Sequence, residues 1–139
     1  MSLKDKEKWN QKYKGPEFLT GKEPCEWLSA NADLLTGRGT ALDIAMGEGR
    51  NAVFAAQQGY RVLGLDISEA GVQKARKLAE ENGVRIQTAV VDLDNYLFQP
   101  QAYDLILCFN FLDRRLFPGM RGALKPGGLI VYETFNLDY

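Results

Sequence analysis

The sequence predicts an α/β fold, a doubly wound and mostly parallel sheet with helices on both faces. Three observations predict it. From Thr40 onward, short apolar runs alternate with segments of helical length and period. The second run, Tyr60 to Asp66 (YRVLGLD), is almost continuously apolar, as a strand covered on both faces must be. The run LDIAMGEGRN, from Leu42 to Asn51, joins an apolar stretch to a glycine turn and a helix start. Such a turn lets backbone approach a bound ligand closely.

The elements follow in order. Leu3 to Tyr13 is polar, with Trp9 and Tyr13 four apart on one helical face, and Gly15-Pro16 breaks that helix. Two aromatics on a charged helix imply docking onto the body of the protein or cover for a ligand. Pro24 can occupy a first helical position, with Trp27, Leu28, Leu34 and Leu35 supplying apolar faces beyond it. Gly37-Arg38-Gly39 is a turn. Thr40 to Ala45 is the first strand, Gly49 to Gln58 a helix stopped by Gly59, and Tyr60 to Asp66 the second strand. Ser68 is a plausible N-cap for a helix running to about Asn82, with Val72, Ala75, Leu78 and Ala79 facing inward. Val84 to Val91 and Tyr103 to Phe109 are the third and fourth strands. A helix lies between Asp113 and Leu124, with Pro118 opening a fresh turn inside it. Pro126-Gly127-Gly128 is a turn before a fifth strand, Leu129 to Thr134.

Composition bounds the function. A chain of 139 residues suits one domain. No apolar run approaches the roughly 20 residues of a membrane span, and the N-terminus lacks the apolar core of a signal peptide. No membrane association and a cytoplasmic location are the expectations. Net charge is −1, so no global field favours nucleic acid. The lysines among the first fourteen residues read as a solvated helix face. Two cysteines, Cys25 and Cys108, stand in no metal-binding spacing, so no metal is expected. The chain has no histidine, which excludes Ser-His-Asp and Cys-His nucleophile systems.

In an open α/β sheet, ligands bind beyond the carboxyl ends of the strands. Asp43, Asp66 and Asp92 are expected to converge at that edge, although each alone is also a common turn former. Gly47 to Ala52 fits the dinucleotide pattern G-x-G-x-x-G/A. Asp43 and Glu48 beside the turn would oppose a pyrophosphate and favour a cationic ammonium and sulfonium. On charge, the residues favour a sulfonium nucleoside over a dinucleotide.

LDIAMGEGRNAVFAA, GLDIS, VDLDNY and LKPGGLIVYETF, in that order, resemble successive motifs of class I S-adenosylmethionine-dependent methyltransferases. The G-x-G-R-N turn and the early pattern Trp9, Tyr13, Phe18, Gly21, Pro24 are similar to the small tellurite-resistance-type subgroup. The resemblance runs from Trp9 to Phe135. It implies a Rossmann-like sheet in the order 3-2-1-4-5, with residues 1–36 a helical segment covering a cofactor cleft and 37–139 the catalytic core. It implies S-adenosylmethionine as methyl donor and S-adenosylhomocysteine as product.

By motif, Asp43 and the backbone of Ala45, Met46, Gly47 and Gly49 would line the methionine part. Asp66 would accept from the ribose hydroxyls, and Ile67 would pack on adenine. Asp92 would accept from the adenine amino group and the Leu93 amide would meet a ring nitrogen. Cys108 to Asn110 would border the methyl group. Arg50 and Asn51 would stabilise the turn.

Two departures stand out. Ala45 occupies a position where the family usually has glycine. The chain also stops at Tyr139, where such domains normally continue into two antiparallel strands. It therefore reads as truncated, with an open fifth-strand edge that invites self-association.

Methyl transfer is a direct displacement that needs alignment and exclusion of water more than a base. A small-molecule acceptor is the expectation, with Phe18, Phe109 and Phe111 as possible walls of its pocket. Asp113 and Tyr132 are candidate catalytic groups; their competing readings are a helix cap and a core residue. Asn110-Phe111 lacks the N-P-P-Y pattern of amino-methylating nucleic-acid enzymes. The alternatives are an NAD(P)- or FAD-binding domain and a truncated, non-catalytic cofactor-binding or interaction module. Aminopropyl transfer ranks below these, because no additional acidic pair is present to recruit a polyamine.

Overall fold

A computed structural model describes residues 3–19, 21–109, 111 and 113–133. Its centre is a five-stranded parallel sheet in the order β3-β2-β1-β4-β5. The strands are β1 (Thr40–Ile44), β2 (Arg61–Asp66), β3 (Gln87–Val90), β4 (Tyr103–Phe109) and β5 (Leu124–Glu133). The helices are α1 (Leu3–Tyr13), α2 (Glu26–Ala30), α3 (Arg50–Gln57), α4 (Glu69–Glu81) and α5 (Phe117–Ala123). Among the described residues no antiparallel strand follows β5. None of the described helices is long and apolar enough to cross a membrane.

The period of two along each strand divides the core between the faces. Ala41, Leu105 and Leu107 pack with Ala52, Ala55, Val72 and Ala75 from α3 and α4. Leu42, Ile44, Ile106 and Cys108 pack on the other face with Leu116, Met120 and Ala123. Burial on both faces explains the continuously apolar strand sequences. The inward residues expected of α4, Val72, Ala75, Leu78 and Ala79, are all buried. Ser68 caps that helix by accepting from the Gly71 amide at 3.0 Å.

Three local expectations differ from the structure. The third strand is shorter than Val84 to Val91, because the Val84 amide instead wraps back to the Ala79 carbonyl behind α4. Pro24 precedes α2, whose N-cap is Cys25. Pro126 to Gly128 does not form a turn ahead of β5 but a bulge within it. Tyr103 pairs with Leu124 and Leu105 with Leu129, so the intervening β5 residues swell outward.

Gly49 is held by helix packing. It caps α3 in the left-handed region at φ 87°, and a Cβ there would lie 2.5 Å from the Cβ of Ala75 on α4. Gly49→Ala therefore combines left-handed strain with a clash. Urea unfolding should show a loss of roughly 2–4 kcal/mol. A loss below about 0.5 kcal/mol would contradict this packing argument.

Candidate functional site

The carboxyl ends of β1 and β2 open into a cleft of about 300 Å³. Its floor is the segment Ala45–Glu48 together with Asp43, Asp66 and Ile67; Arg50 and Asn51 start the helix behind it. Asp5, Trp9, Tyr13 and Leu19 wall it from the N-terminal segment, and Phe109 and Phe111 from the end of β4. Trp9 and Tyr13 stack, with ring centroids 5.4 Å apart. The helix that carries them docks onto α4. Asn10 Oδ1 accepts from Ser68 Oγ at 2.7 Å and from the Ala70 amide at 3.2 Å. Docking and cleft lining, the two roles open to these aromatics, are therefore combined in one helix.

Asp66 joins two turns. Its Oδ1 accepts from the Gly47 amide at 3.1 Å and its Oδ2 from the Ser68 amide at 3.0 Å. Desolvation raises its pKa, and the backbone donors at Ser68 and Gly47 oppose that rise. Asp43 is buried at the end of β1. Its Oδ2 has no hydrogen-bond partner among the described residues. Burial pushes its pKa well up, and the neighbouring Asp66 adds to the effect. An unsatisfied buried carboxylate oxygen is costly. Here it borders the cleft, where a cationic donor would satisfy it. That acceptor set fits the ammonium group of a sulfonium nucleoside's amino-acid end.

A profile of the methyltransferase domain family matches residues 41–128, more than half of the chain. The chain belongs to this methyltransferase family. It is 30% identical over 117 residues to a ubiquinone biosynthesis O-methyltransferase of Bordetella avium, covering 80% of this chain and 48% of that protein. The chain thus spans about half the length of that curated relative. Its fold is similar to an S-adenosylmethionine-dependent methyltransferase of Mesorhizobium loti, with TM-score 0.63 and 30% identity over 77% of this chain and 51% of that one. It is also similar to phosphoethanolamine N-methyltransferase 2 of Haemonchus contortus, solved with phosphomonomethylethanolamine and S-adenosylhomocysteine. There the TM-score is 0.64 at 29% identity, over 89% of this chain and 31% of that one. The sheet order matches the class I methyltransferase fold.

Within this methyltransferase-family domain, Asp43, Ala45, Met46, Gly47, Asp66 and Ile67 line one cleft. Gly49, Asp92, Leu93 and Cys108 lie outside that lining. Asp92 Oδ1 accepts from the Asp94 amide at 3.0 Å, capping a short turn over Leu93–Asn95. Leu93 is buried in the core beneath. The Cys108 thiol donates to the Phe111 carbonyl at 3.6 Å, and burial pushes its pKa up to about 12. Asn110 falls outside the described residues.

Neither candidate catalytic group lines the cleft. Asp113 caps the turn Arg114–Leu116, and its hydrogen bonds to Arg115 lower its pKa, which makes it a weaker base. The Tyr132 hydroxyl donates to the Phe111 carbonyl at 3.1 Å. Phe18 packs with Val53, Leu78 and Ala79 rather than walling the cleft.

Glu48 departs from its expected electrostatic role. Its carboxylate is buried and ion-paired with Lys74 at 2.8 Å, so its charge is offset locally. Asp43 and Asp66 are the buried strand-end carboxylates of the cleft, which Asp5 and Arg50 also line. Asn51 also has a task that the motif pattern does not reveal, since its Oδ1 accepts from the Cys25 amide at 2.7 Å.

Ala45 adopts φ 55°, in the left-handed region. Ala45→Gly removes strain of about 1–2 kcal/mol against an unfolded-state entropy cost of roughly 0.4–1 kcal/mol. The melting temperature should rise by about 2–3 °C; a fall would contradict the strain assignment. Asp43 makes a second prediction. A raised pKa means the folded state holds the proton more tightly, so stability falls as pH climbs above the ordinary carboxylate value. Asp43→Asn should melt above the parent protein at pH 7, with the gap closing toward pH 4. A pH-independent gap would refute the burial argument.

Proposed function

We propose that this chain carries out S-adenosylmethionine-dependent methyl transfer to a small-molecule acceptor. The observation that carries the proposal is the pairing of two buried strand-end carboxylates around a left-handed glycine turn in one cleft. Asp66 is suited to receive ribose hydroxyls, because its oxygens accept from the Gly47 and Ser68 amides and keep further acceptor capacity. Ile67 offers the adjacent apolar surface for adenine, and Asp43 the acceptor for the ammonium group. Asp92 and the Leu93 amide are assigned to the adenine edge from the motif order, and Cys108 to Asn110 to the methyl end. Residues 1–36 serve as cover and 37–139 as core.

S-adenosylmethionine supplies the activated methyl group when bound. The chain contributes alignment and dryness. Trp9, Leu19, Phe109 and Phe111 give the cleft an apolar wall, which suits an apolar or aromatic acceptor. The ubiquinone biosynthesis O-methyltransferase of Bordetella avium supports that acceptor class by its name. The G-x-G-R-N turn supports a place beside the small tellurite-resistance-type enzymes. A net charge of −1 supports a small acceptor over nucleic acid. The outer edge of β5, unpaired among the described residues, supports self-association, and the cytoplasm is the proposed place of work.

Calorimetric titration should show S-adenosylhomocysteine binding and no response to NAD. Asp66→Asn should weaken the nucleoside by about 10- to 100-fold, the range for a charged hydrogen-bond acceptor. Tight NAD binding with no response to the nucleoside would overturn the proposal.

A further inference from the structure

Glu48 occupies two places at once. Its backbone belongs to the glycine turn that floors the cleft, where Gly49 donates back to the Met46 carbonyl at 3.1 Å. Its side chain points away into the protein and is fully buried. Oε1 accepts from the Leu19 amide at 2.8 Å. Oε2 pairs with Lys74 at 2.8 Å, and the same ammonium donates to the Glu17 carbonyl. Lys74 also stands 5.4 Å over the Phe18 ring. Three consecutive residues of the N-terminal segment are thus gripped by one buried ion pair anchored in the cofactor turn. A second grip, Asn10 on the start of α4, lies earlier in the same segment.

The segment so held supplies four of the cleft walls, Asp5, Trp9, Tyr13 and Leu19. Leu19 is the notable one. Its amide is fixed while the residue is 55% exposed and lines the cleft. An apolar side chain of that size gains by contact with a ligand. A buried ion pair is weak evidence of a stabilising role, because its desolvation cost offsets much of its attraction. Its geometric effect is specific: one buried side chain ties the Gly47-Glu48 backbone to the Leu19 amide.

We infer that Glu48, with Lys74, is a positioning residue that couples occupancy of the cofactor cleft to the seating of residues 3–19 over it. The inference rests on the cofactor reading above. Ligand seated on the turn fixes the Glu48 backbone, which fixes Leu19, which closes over the ligand. By linkage, loss of the coupling must appear on both sides.

The test uses hydrogen exchange at the Leu19 amide and calorimetry, both with S-adenosylhomocysteine. The variant is Glu48→Ala with Lys74→Met, which strands no buried charge; far-ultraviolet circular dichroism verifies its fold. In the parent protein, the nucleoside should slow Leu19 exchange by about tenfold or more, within the usual range of coupling energies. In the double variant, Leu19 exchange should no longer respond to the nucleoside, and affinity should fall about tenfold. Glu48→Gln retains the acceptor for Leu19 and should keep part of the response. Parent Leu19 exchange that ignores bound nucleoside would overturn the coupling alone, as would unchanged affinity in the double variant. A parent protein that gives no calorimetric response to the nucleoside would remove the cofactor reading and the coupling together.

Discussion

The carboxylate of Asp66 is the constraint on which the site depends. It ends the strand next to β1, and it holds the Gly47 amide with one oxygen and the Ser68 amide with the other. The turn into α3 and the turn into α4 are therefore fastened to each other through one side chain. Ser68 in turn caps α4 and donates to Asn10 on α1. Four elements meet through this short network. Because the network is buried, its dielectric is low and each bond has more weight than on a surface.

Charge in the cleft follows from the same burial. Burial sets most of the cost of ionising Asp43, and the neighbouring Asp66 adds to it. A cationic ligand relieves that cost, whereas a diphosphate increases it. The third carboxylate, Glu48, is removed from this balance by Lys74. The two strand-end groups act beside Asp5 and Arg50, which also line the cleft. The glycines permit both classes of ligand.

The sheet was legible because burial on both faces writes a distinctive pattern. β4 spans the apolar run Tyr103 to Phe109 without adjustment, and the cap at Ser68 follows from a serine set just ahead of an amphipathic stretch. The bulge in β5 was not legible, since Pro126-Gly127-Gly128 reads as a turn by local preference. Only its pairing with β4 shows that the strand resumes on both sides. In the site, the strand-end positions of Asp43 and Asp66 could be read from the order of the elements. The tasks of Glu48 and Asn51 could not, because their partners, Leu19 with Lys74 and Cys25, lie more than twenty residues away. A buried glutamate inside a glycine turn was the one available signal, and it was open to a purely electrostatic reading.

The most direct measurement is a crystal structure of the chain with S-adenosylhomocysteine. The account predicts ribose hydroxyls within about 3 Å of the Asp66 carboxylate and the ligand ammonium on Asp43 Oδ2. A nucleoside bound away from Asp66, or Asp43 Oδ2 satisfied by the protein's own backbone, would contradict it.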